Sequence, residues 1–383
     1  MQLGHAIREE WGLEPGYTTV NHGSYGATPR VVLAAQDAWR ARMEAQPSRF
    51  MRLELPGALR AAAGRVADFL GAEADDLAFV SNATEGCNAV IRSRRFVAGD
   101  EILVLGHVYG AVRNTIQYVC SVSGAVMVEA PLPFPRPEPG AVVASVAGAI
   151  TARTKLAVLD HITSSSAMVL PIAEMVAACR ARGVPVLVDG AHGPGHVPID
   201  LTAIDADWYT GNCHKWLNAA KGCAVIWARR EAQAGLHPAV ISHGYGHGFI
   251  AEFDWTGTFD PSAWLSVTAA LDFHARLGGE ALMARNVALA GQAAAALAAR
   301  FGTETGHGNG PAGAMAMVRL PSGPTERAAL LALRDRLLVA GTDVPLQLHD
   351  GRPWLRISVQ AYNELADFEA MGTLVLDALR APG

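Results

Sequence analysis

Between residues 77 and 228 the chain alternates short apolar runs with longer stretches in which apolar residues recur every three to four positions. Apolar runs bounded by turn residues are typical of buried strands, and the longer spacing is typical of helices. The predicted strands cover 77–80, 101–105, 125–128, 155–161, 186–189, 208–209 and 224–228. The predicted helices between them cover 84–92, 111–122, 142–152 and 172–182. This alternation predicts a mostly parallel sheet with helices on both faces, which is an α/β fold.

The pattern changes on either side of this region. Helices are predicted at 3–12, from about 30 to 43 and from about 57 to 69, with a polar, glycine-rich loop at 20–30. After Trp255 the chain favours helix from 263 to 301, followed by strands at 314–320, 344–348 and 354–359 and helices at 325–340 and 363–379. We therefore expect an N-terminal arm (1–20), a large domain (21–262) and a smaller α+β C-terminal domain (263–383).

Composition narrows the class of protein. Of the 383 residues, 50% are apolar and 17% are charged, and the formal net charge is −5. This is the profile of a globular protein with a large core, and the lack of basic blocks argues against a nucleic-acid partner. No run of about 18 apolar residues predicts a membrane span, and the first 17 residues contain no apolar stretch of signal-peptide length. Five cysteines without a CxxC pair disfavour zinc and a disulfide framework, so a cytoplasmic enzyme is expected.

The first candidates for chemistry are an acid and an amine, Asp189 and Lys215. Asp189 ends an apolar run that begins at Val184, and Lys215 follows Trp208-Tyr209 after a few small and polar residues. In open α/β sheets, catalytic groups lie just outside the carboxyl ends of the strands, so both side chains belong at one edge. A lysine that forms a Schiff base and an acid that partners a pyridinium nitrogen are what pyridoxal phosphate (PLP) requires. The pair therefore predicts a PLP site.

Two segments that follow predicted strands could complete such a site. Ser81–Val90 (SNATEGCNAV) begins a helix, where free backbone N–H groups and the Thr84 hydroxyl could bind a phosphate. The alternative for this segment is an ordinary helix cap. In LGHVYGAVRN, His107 and Tyr109 are candidates to stack on a flat cofactor ring or to move protons, or else they are structural groups.

A third segment has a spacing that would suit a metal. His243 and His247 are separated by a glycine-rich turn that contains Tyr245. A third ligand is missing from the neighbouring sequence, whereas zinc needs at least three protein ligands. We therefore expect no metal site here, and instead a mobile active-site loop that contributes Tyr245.

Seven segments occur in one order along the chain: VNHGSYGATPR, SNATEGCNAV, LGHVYGAVRN, VDGAHGPGHVPIDL, WYTGNCHKWL, FDWTGTFDP and LRISVQAYNE. Together they resemble the class V aminotransferase family of fold-type I PLP enzymes, and within it the isopenicillin N epimerase-like branch. The resemblance runs from about Asn21 to Asn363. It implies a large PLP-binding domain, a small C-terminal domain and a homodimer whose active sites lie at the subunit interface.

The resemblance also implies roles for cofactor-binding residues. Lys215 matches the lysine that binds PLP as an internal aldimine, Asp189 matches the partner of the pyridine nitrogen, and His192 matches the residue that approaches the phenolic oxygen. Thr258 matches a residue that reaches the phosphate of the neighbouring subunit. The other positions counted with the cofactor, mostly at the phosphate, are Ala83, Thr84, Thr163 and His214.

Positions around the substrate follow from the same resemblance. Arg356 matches the arginine that clamps the substrate α-carboxylate, a role that suits its planar, bidentate fork. Tyr109 or His107 would cover the ring face opposite the lysine. Asn21 and His22 match the loop that lines the mouth of the substrate site.

The implied reaction begins at Cα of an amino acid, through an external aldimine and a carbanion, with the freed Lys215 amine as general base. Epimerases, aminotransferases and β-lyases share this first half and differ afterwards. The branch resemblance favours an epimerase or racemase; the alternatives are a C–S or other β-lyase and an aminotransferase. A cysteine desulfurase is disfavoured, because residues 344–354 contain no cysteine and all five cysteines lie before residue 224.

Two other classes of protein fit the sequence less well. A nicotinamide-dependent oxidoreductase would share the parallel sheet, but no GxGxxG follows an early strand. A non-catalytic binding module with the PLP fold would be expected to lack Lys215 or Asp189, and both are present.

Overall fold

The structure is a computed structural model that describes residues 2–135, 138–306 and 313–380. Its larger sheet has seven strands in the order β1-β7-β6-β5-β4-β2-β3. Their bounds are β1 Leu77–Val80, β2 Glu101–Leu105, β3 Val126–Ala130, β4 Thr154–Asp160, β5 Val186–Asp189, β6 Trp208–Asn212 and β7 Ala224–Ala228. Neighbouring strands are parallel except where β7 pairs with β1 and β6. The predicted mostly parallel sheet is confirmed, with one antiparallel strand inserted in it.

The centre of this sheet is apolar because helices cover both of its faces. Every residue of β2, β5, β6 and β7 is buried. Since β4, β5 and β6 run parallel, their carboxyl ends lie side by side: Asp160 is the register partner of Asp189, and Asp189 that of Thr210. The chain that leaves β6 at this edge carries Lys215.

Fifteen α-helices lie within the described residues. Those up to β7 are α1 His22–Tyr25, α2 Arg30–Ala45, α3 Pro47–Arg49, α4 Leu55–Leu70, α5 Ala83–Ser93, α6 Gly110–Ser123, α7 Pro139–Ala149, α8 Ile172–Arg180 and α9 Leu201–Ile204. The later ones are α10 Phe249–Phe253, α11 Ser262–Leu265, α12 Val267–Arg276, α13 Glu280–Phe301, α14 Arg327–Val339 and α15 Leu365–Arg380. The helices predicted from apolar spacing are present, with shifts of a few residues at their ends.

A smaller antiparallel sheet follows in the C-terminal part of the chain. Its strands are β8 Met315–Arg319, β9 Leu346–His349 and β10 Arg352–Ser358, in the order β8-β10-β9. Helices α13, α14 and α15 pack on this sheet and on one another. Their shared core includes Leu297, Leu333, Leu355 and Phe368. This is the small α+β unit that the sequence predicts.

Helix α12 packs with the large sheet's helices, not with the small sheet. Val267, Ala270 and Leu271 recur at helical spacing and are buried in the same core cluster as α4. The sequence division places this helix in the C-terminal domain. In the structure the chain turns from one core to the other at Gly278-Gly279, both of which have positive φ angles (117° and 57°).

Helix α13 is long and apolar enough, by length and hydropathy alone, to cross a membrane. The apolar sequence of this helix is interrupted by Arg285, Asn286 and Gln292, so it is not a continuous run of about 18 apolar residues. Half of its most apolar window is buried, and it packs against β8 and α15. These contacts make it a core helix of the small domain.

The N-terminal arm forms a 3₁₀-helix, His5–Glu10, where the sequence predicts a short helix. Ile7 and Trp11 pack against Phe273 and Tyr362 in a small apolar cluster. The backbone N–H of Gly4 also donates to the carbonyl of Ala361 at 2.7 Å. The arm therefore fastens α12 to the segment that follows β10.

Candidate active site

A cavity of about 370 Å³ lies at the carboxyl ends of β4, β5 and β6. Its walls come from the loop at 20–30, the first turn of α5, the turn before α6, and the segments that follow β4, β5 and β6. The predicted site residues that line it are Ala83, Thr84, Tyr109, Asp189, His192, His214 and Lys215. The sheet thus brings together residues from segments more than a hundred positions apart.

Two carboxylic acids lie side by side in the floor of the cavity. Asp160 ends β4 and Asp189 ends β5, and both are almost fully buried. Asp189 accepts a hydrogen bond from the backbone N–H of Ala191 at 3.0 Å, whereas Oδ2 of Asp160 has no partner among the described residues. Burial raises the pKa of each acid, and the charge of Asp189 raises that of Asp160 further. Such a pair calls for a cation or a shared proton.

The Lys215 amine faces this acid pair in the same cavity. Its Nζ lies 3.3 Å from Nε2 of His192, which is itself buried. Burial, and to a smaller extent the positive charge of Arg356, lower the pKa of Lys215 to about 8, with the charge of Asp189 partly offsetting both. About a tenth of this amine is therefore unprotonated at pH 7, far more than for an ordinary lysine, and this is the form that attacks a carbonyl.

The first turn of α5 forms one wall of the cavity. The Asn82 side chain caps this helix by accepting the backbone N–H of Glu85 at 2.9 Å. Gly86 allows the helix to approach β6, because a Cβ there would lie 2.2 Å from the Thr210 hydroxyl oxygen. The positive end of an eleven-residue helix is thereby held against the strand that leads to Lys215.

Side chains at the end of β6 complete this wall. The Asn212 Oδ1 accepts the backbone N–H of Ala83 at 2.8 Å, which ties the helix start to the strand. His214 hydrogen-bonds through Nδ1 to the Cys223 carbonyl at 2.9 Å, so Nδ1 carries the proton and Nε2 is unprotonated in the neutral ring. Burial lowers the pKa of His214 to about 4. Thr84 and His214 both line the cavity at this helix N-terminus, where an anion would be stabilised.

Arg356 approaches the cavity from β10 of the small domain. Its guanidinium donates to the Ser164 carbonyl at 2.6 Å, to Asn21 Oδ1 at 3.3 Å and to Ser24 Oγ at 2.9 Å. All of these acceptors are neutral, and Nε has no acceptor among the described residues. Burial lowers the pKa of Arg356 to about 10. Ser24 and Ser164 line the cavity, so the guanidinium is a buried cation directly beside it, suited to an anionic ligand.

Comparison with known proteins decides the family. The model of the class V aminotransferases matches residues 26–371, which is most of the chain. The chain belongs to the class V aminotransferase family. Its ordered motifs and its acid–lysine pair agree with that assignment.

The curated relatives of this class V family member include isopenicillin N epimerases and L-cysteine desulfhydrases. An isopenicillin N epimerase from Amycolatopsis lactamdurans is 34% identical, over 95% of this chain and 96% of the relative. An L-cysteine desulfhydrase from Arabidopsis thaliana is 32% identical, over 96% of this chain and 89% of the relative. The resemblance to an epimerase-like branch is thus confirmed, together with an equally similar desulfhydrase group.

Solved structures confirm the fold. A lysine-to-alanine variant of the lyase C-DES, with glycine covalently linked to its PLP cofactor, superposes with a TM-score of 0.82 at 20% identity, over 97% of this chain and 99% of the other. A cysteine desulfurase from Thermococcus onnurineus gives 0.82 at 17% identity, over 99% of each chain. The protein has the fold-type I architecture of PLP-dependent enzymes.

PLP is the cofactor of this family member, and the residues in the cavity fit it. The unpartnered oxygen of Asp160 and the raised pKa of Asp189 mark a buried acid pair without a cation, which a pyridinium nitrogen supplies. The start of α5 offers a phosphate site, and Lys215 offers the amine for a Schiff base. Lys215, Asp189 and the first turn of α5 would therefore hold the cofactor.

The structure separates His107 from Tyr109. Tyr109 lines the main cavity, where it is 45% exposed at the start of α6. His107 lines a neighbouring cavity of about 360 Å³, where its ring lies 4.7 Å from that of His349 and its Nδ1 is 2.9 Å from Ser166 Oγ. Burial lowers the pKa of His107 to about 4. Of the two, Tyr109 is the one placed to contact a ring in the main cavity.

The two N-terminal residues predicted at the substrate mouth differ in position. Asn21 accepts a hydrogen bond from Arg356 on its Oδ1, and its amide nitrogen donates one to Asp343 at 2.5 Å. Because Asp343 holds the amide in place, Asn21 orients the guanidinium. His22 lies behind Lys215, with Nε2 3.0 Å from the Lys215 carbonyl and Nδ1 3.0 Å from the Tyr362 hydroxyl. Full burial lowers the pKa of His22 to about 4. His22 therefore supports the backbone of the segment that carries Lys215, and it does not form part of the cavity wall.

Three further predicted residues lie outside the cavity wall of this chain. Thr163 is fully buried in the turn after β4, where its hydroxyl accepts the Met168 N–H at 2.9 Å. Thr258 is exposed on the surface of this chain. Tyr245 is 59% exposed, and its ring contacts His237 at 5.3 Å.

Several cavity residues escaped the sequence-based prediction. The main one is Asp160, although it ends an apolar run just as Asp189 does, and that shared pattern would have found it. Asn212 ends a strand that the sequence predicts two residues long, so its position was not apparent. The others, from loops that single-sequence patterns do not position, are Ser24, Tyr25 and Ser164.

Proposed function

We propose that the protein is a PLP-dependent enzyme that removes and returns the Cα proton of a small α-amino acid, and that its net reaction is epimerisation at Cα. The observation that carries this proposal is the presence of two proton-transfer groups in one cavity, the Lys215 amine and the Tyr109 hydroxyl. The epimerases among the relatives support the same reaction.

Lys215 is the base in this proposal. Bound PLP supplies the electron sink that makes the Cα proton of an attached amino acid acidic. Lys215 takes that proton on its Nζ, for which a pKa lowered to about 8 is well matched near neutral pH. Asp189 would hold the protonated ring nitrogen of the bound cofactor, and Nε2 of His192 lies 3.3 Å from the Lys215 amine.

Arg356 orients the substrate. A buried guanidinium whose hydrogen-bond acceptors are all neutral is suited to a carboxylate, which would replace one of the weaker neutral contacts. The cavity of about 370 Å³ is at the low end of the range for small-molecule sites, ~300–1,000 Å³. Cofactor and substrate share it, which favours an amino acid with a small side chain.

Tyr109 is the second proton-transfer group. Inversion at Cα requires the proton to return on the face opposite to the one from which it left. Lys215 follows β6 and Tyr109 follows β2, and β5 and β4, with their acids, lie between them. At ~4.8 Å per strand the ends of β2 and β6 are roughly 14 Å apart, so the two side chains enter the cavity from different strands with room for a flat ring in the cavity.

A second candidate reaction is β-elimination from a sulfur-containing amino acid. The desulfhydrases among the relatives favour it, and so does the small cavity. Elimination needs only one base, Lys215, and a leaving group. A desulfurase reaction through a persulfide remains disfavoured, because none of the residues that line the cavity is a cysteine.

The experiment compares products and stereochemistry in one assay. A panel of L-amino acids, with cystine, is incubated with the PLP-loaded enzyme, and chiral chromatography is run beside assays for pyruvate and ammonia. Epimerisation predicts the D-isomer, and Tyr109→Phe loses it at least about tenfold. Tyr118→Phe, on the exposed side of α6, is the matched control and should behave as wild type.

Elimination predicts pyruvate and ammonia that persist in Tyr109→Phe. Release of these products without any D-isomer would replace the epimerase proposal with the lyase. A keto acid formed only with an added amino acceptor would replace it with transamination.

We also propose a homodimer in the cytoplasm. Tyr25 and Tyr109 line the cavity and are 67% and 45% exposed. A second subunit packed over the cavity mouth would bury these two aromatic side chains. Exposed Thr258 would reach the partner's cofactor phosphate. Light scattering on the purified protein tests the dimer, and weaker PLP binding in Thr258→Val tests the contact; a monomer with full PLP affinity contradicts both.

A further inference from the structure

We propose that Trp216 is a positioning residue that decides which ring nitrogen of His192 carries the proton, so that His192 always presents its Nε2–H to Lys215 and the cofactor site. The inference rests on the proposed role of Lys215. It does not depend on whether the Cα proton is later returned or a side-chain bond is broken. It therefore holds equally for epimerisation and for elimination.

The direction of the first hydrogen bond is dictated by chemistry. An indole Nε1–H can donate but cannot accept. Nε1 of Trp216 lies 3.3 Å from Nδ1 of His192, and both side chains are about 1% exposed. Nδ1 must then be the acceptor, so it carries no proton. The remaining proton of the neutral imidazole has to be on Nε2.

The second bond continues in the same direction. Nε2 of His192 lies 3.3 Å from Nζ of Lys215. With the proton on Nε2, the imidazole donates, and the amine accepts with its lone pair. This arrangement is compatible with an unprotonated lysine and incompatible with His192 as a second base. Burial supports it, because it lowers the pKa of both His192 and Lys215.

A third residue holds the indole in place. The His196 ring stacks on Trp216 with centroids 4.1 Å apart and an interplanar angle of 26°. His196 donates from Nδ1 to the His192 carbonyl at 2.9 Å and accepts the Ala314 N–H on Nε2 at 2.6 Å. Its tautomer is therefore fixed on both sides. Since Ala314 directly precedes β8, the small domain buttresses the imidazole–indole stack.

Trp354 provides a matched control in the same apolar cluster. It is 2% exposed, but its indole N–H has no acceptor within the described part of the chain. Replacing either tryptophan with phenylalanine removes a similar amount of buried aromatic surface. Only Trp216→Phe also removes a hydrogen bond to His192.

The experiment reads the tautomer directly. Protein labelled with ¹⁵N only in its histidine rings is examined by NMR with PLP bound and after its removal, and the His192 signals are assigned by their loss in His192→Gln. We expect a protonated Nε2 and an unprotonated Nδ1 in wild type and in Trp354→Phe. In Trp216→Phe we expect a mixture of tautomers. A wild-type His192 protonated on Nδ1, or a Trp216→Phe spectrum like that of wild type, overturns the proposal.

A conservative rescue separates positioning from packing. A glutamine side chain can donate from its amide without any tautomer to choose. Trp216→Phe should therefore lower kcat/KM by up to about tenfold in the wild-type background, the upper end for one hydrogen bond between neutral groups, but by less than about twofold in the His192→Gln background. Equal losses in both backgrounds would show a purely structural role, and they contradict the proposal even where the variants bind PLP normally.

Discussion

The two sides of the cavity are built in different ways. On the cofactor side, Asp189, His192 and Lys215 come from a single stretch of about thirty residues, in which buried strands end on polar groups, although the first turn of α5 and Asp160 join them from elsewhere in the chain. The substrate side centres on Arg356, which is held by Asn21, Ser24 and Ser164 from segments more than 130 positions away. The acid–lysine part of the cofactor side is local in sequence, whereas the substrate side exists only after both domains have folded together.

This difference matches a division of labour. The cofactor side supplies chemistry that class V enzymes share, and it sits on the rigid ends of a central sheet. The substrate side orients the reacting amino acid, and it depends on loops and on the contact between domains. Changes on the cofactor side should abolish chemistry, whereas changes on the substrate side should alter KM.

The largest effect is expected at Lys215. The chain has three lysines, Lys155, Lys215 and Lys221, of which only Lys215 lines the cavity. Lys215→Ala should lower activity by more than about 10³-fold, because both the Schiff base and the general base are lost. Borohydride reduction of the PLP-loaded protein, followed by peptide mass spectrometry, should place the cofactor on Lys215. Lys221→Ala, at an exposed position, is the control, and PLP found on Lys155 or Lys221 would contradict the assignment.

A smaller loss is expected on the substrate side. Arg356→Gln should raise KM by about 10- to 100-fold, since a hydrogen bond to a charged group contributes ~1.5–3 kcal/mol. The variant should keep its bound PLP, because Arg356 is held by Ser164, Asn21 and Ser24 on the substrate side. Arg352→Gln, exposed on the same strand, should have no effect. The division between the two sides fails if Arg356→Gln releases the cofactor and leaves KM as it was.

The sequence predicted the two sides unequally, for a physical reason. Strands β5 and β6 are buried, so each contains an apolar run that is visible in the sequence. Asp189 at the end of the first run and Lys215 shortly after the second could therefore be identified from the local pattern. The partners of Arg356 could not be, because their contacts form between distant segments. Asp160 is an exception: its pattern is as local as that of Asp189, and only the register between β4 and β5 shows that the two acids are paired.

The paired acids predict a pH-dependent stability of the cofactor-free protein. Burial raises the pKa of Asp160 in the folded state, so unfolding releases a proton above the ordinary carboxyl pKa of ~3.9. Stability is then lost as pH rises from that value through the folded-state pKa. Asp160→Asn cannot ionise, so it should be more stable than wild type at pH 8, on the order of 1–3 kcal/mol. Urea unfolding at pH 4.5 and pH 8 measures this, and a difference that does not grow with pH is the contrary result.

The smallest effect is expected at His107. This side chain lies in the neighbouring cavity, bonded to Ser166 and packed against His349. His107→Asn should change kcat by less than about twofold, and the absorbance of bound PLP should stay the same. Tyr109→Phe should change that absorbance, because Tyr109 lines the cofactor cavity. The reverse outcome would exchange the roles of the two residues.

His107 and Tyr109 show how far local pattern reaches. Both follow β2 within four residues, and either could face a ring at the end of the strand. The turn before α6 decides between them: Tyr109 occupies the N-cap position, and His107 turns toward the small domain. The geometry of this turn depends on how the residues of β9, such as His349, pack against His107. A short sequence motif around residue 107 carries no information about that contact.

The central claim is that Lys215 moves the Cα proton of an amino acid bound in this cavity. The most direct measurement is proton NMR of a panel of L-amino acids incubated with the PLP-loaded enzyme in deuterated water. For at least one small amino acid or cystine, we predict loss of the Cα proton signal, by exchange or with elimination, and no such loss in Lys215→Ala. A wild-type enzyme with PLP bound to Lys215 that leaves every Cα proton in place would contradict the account.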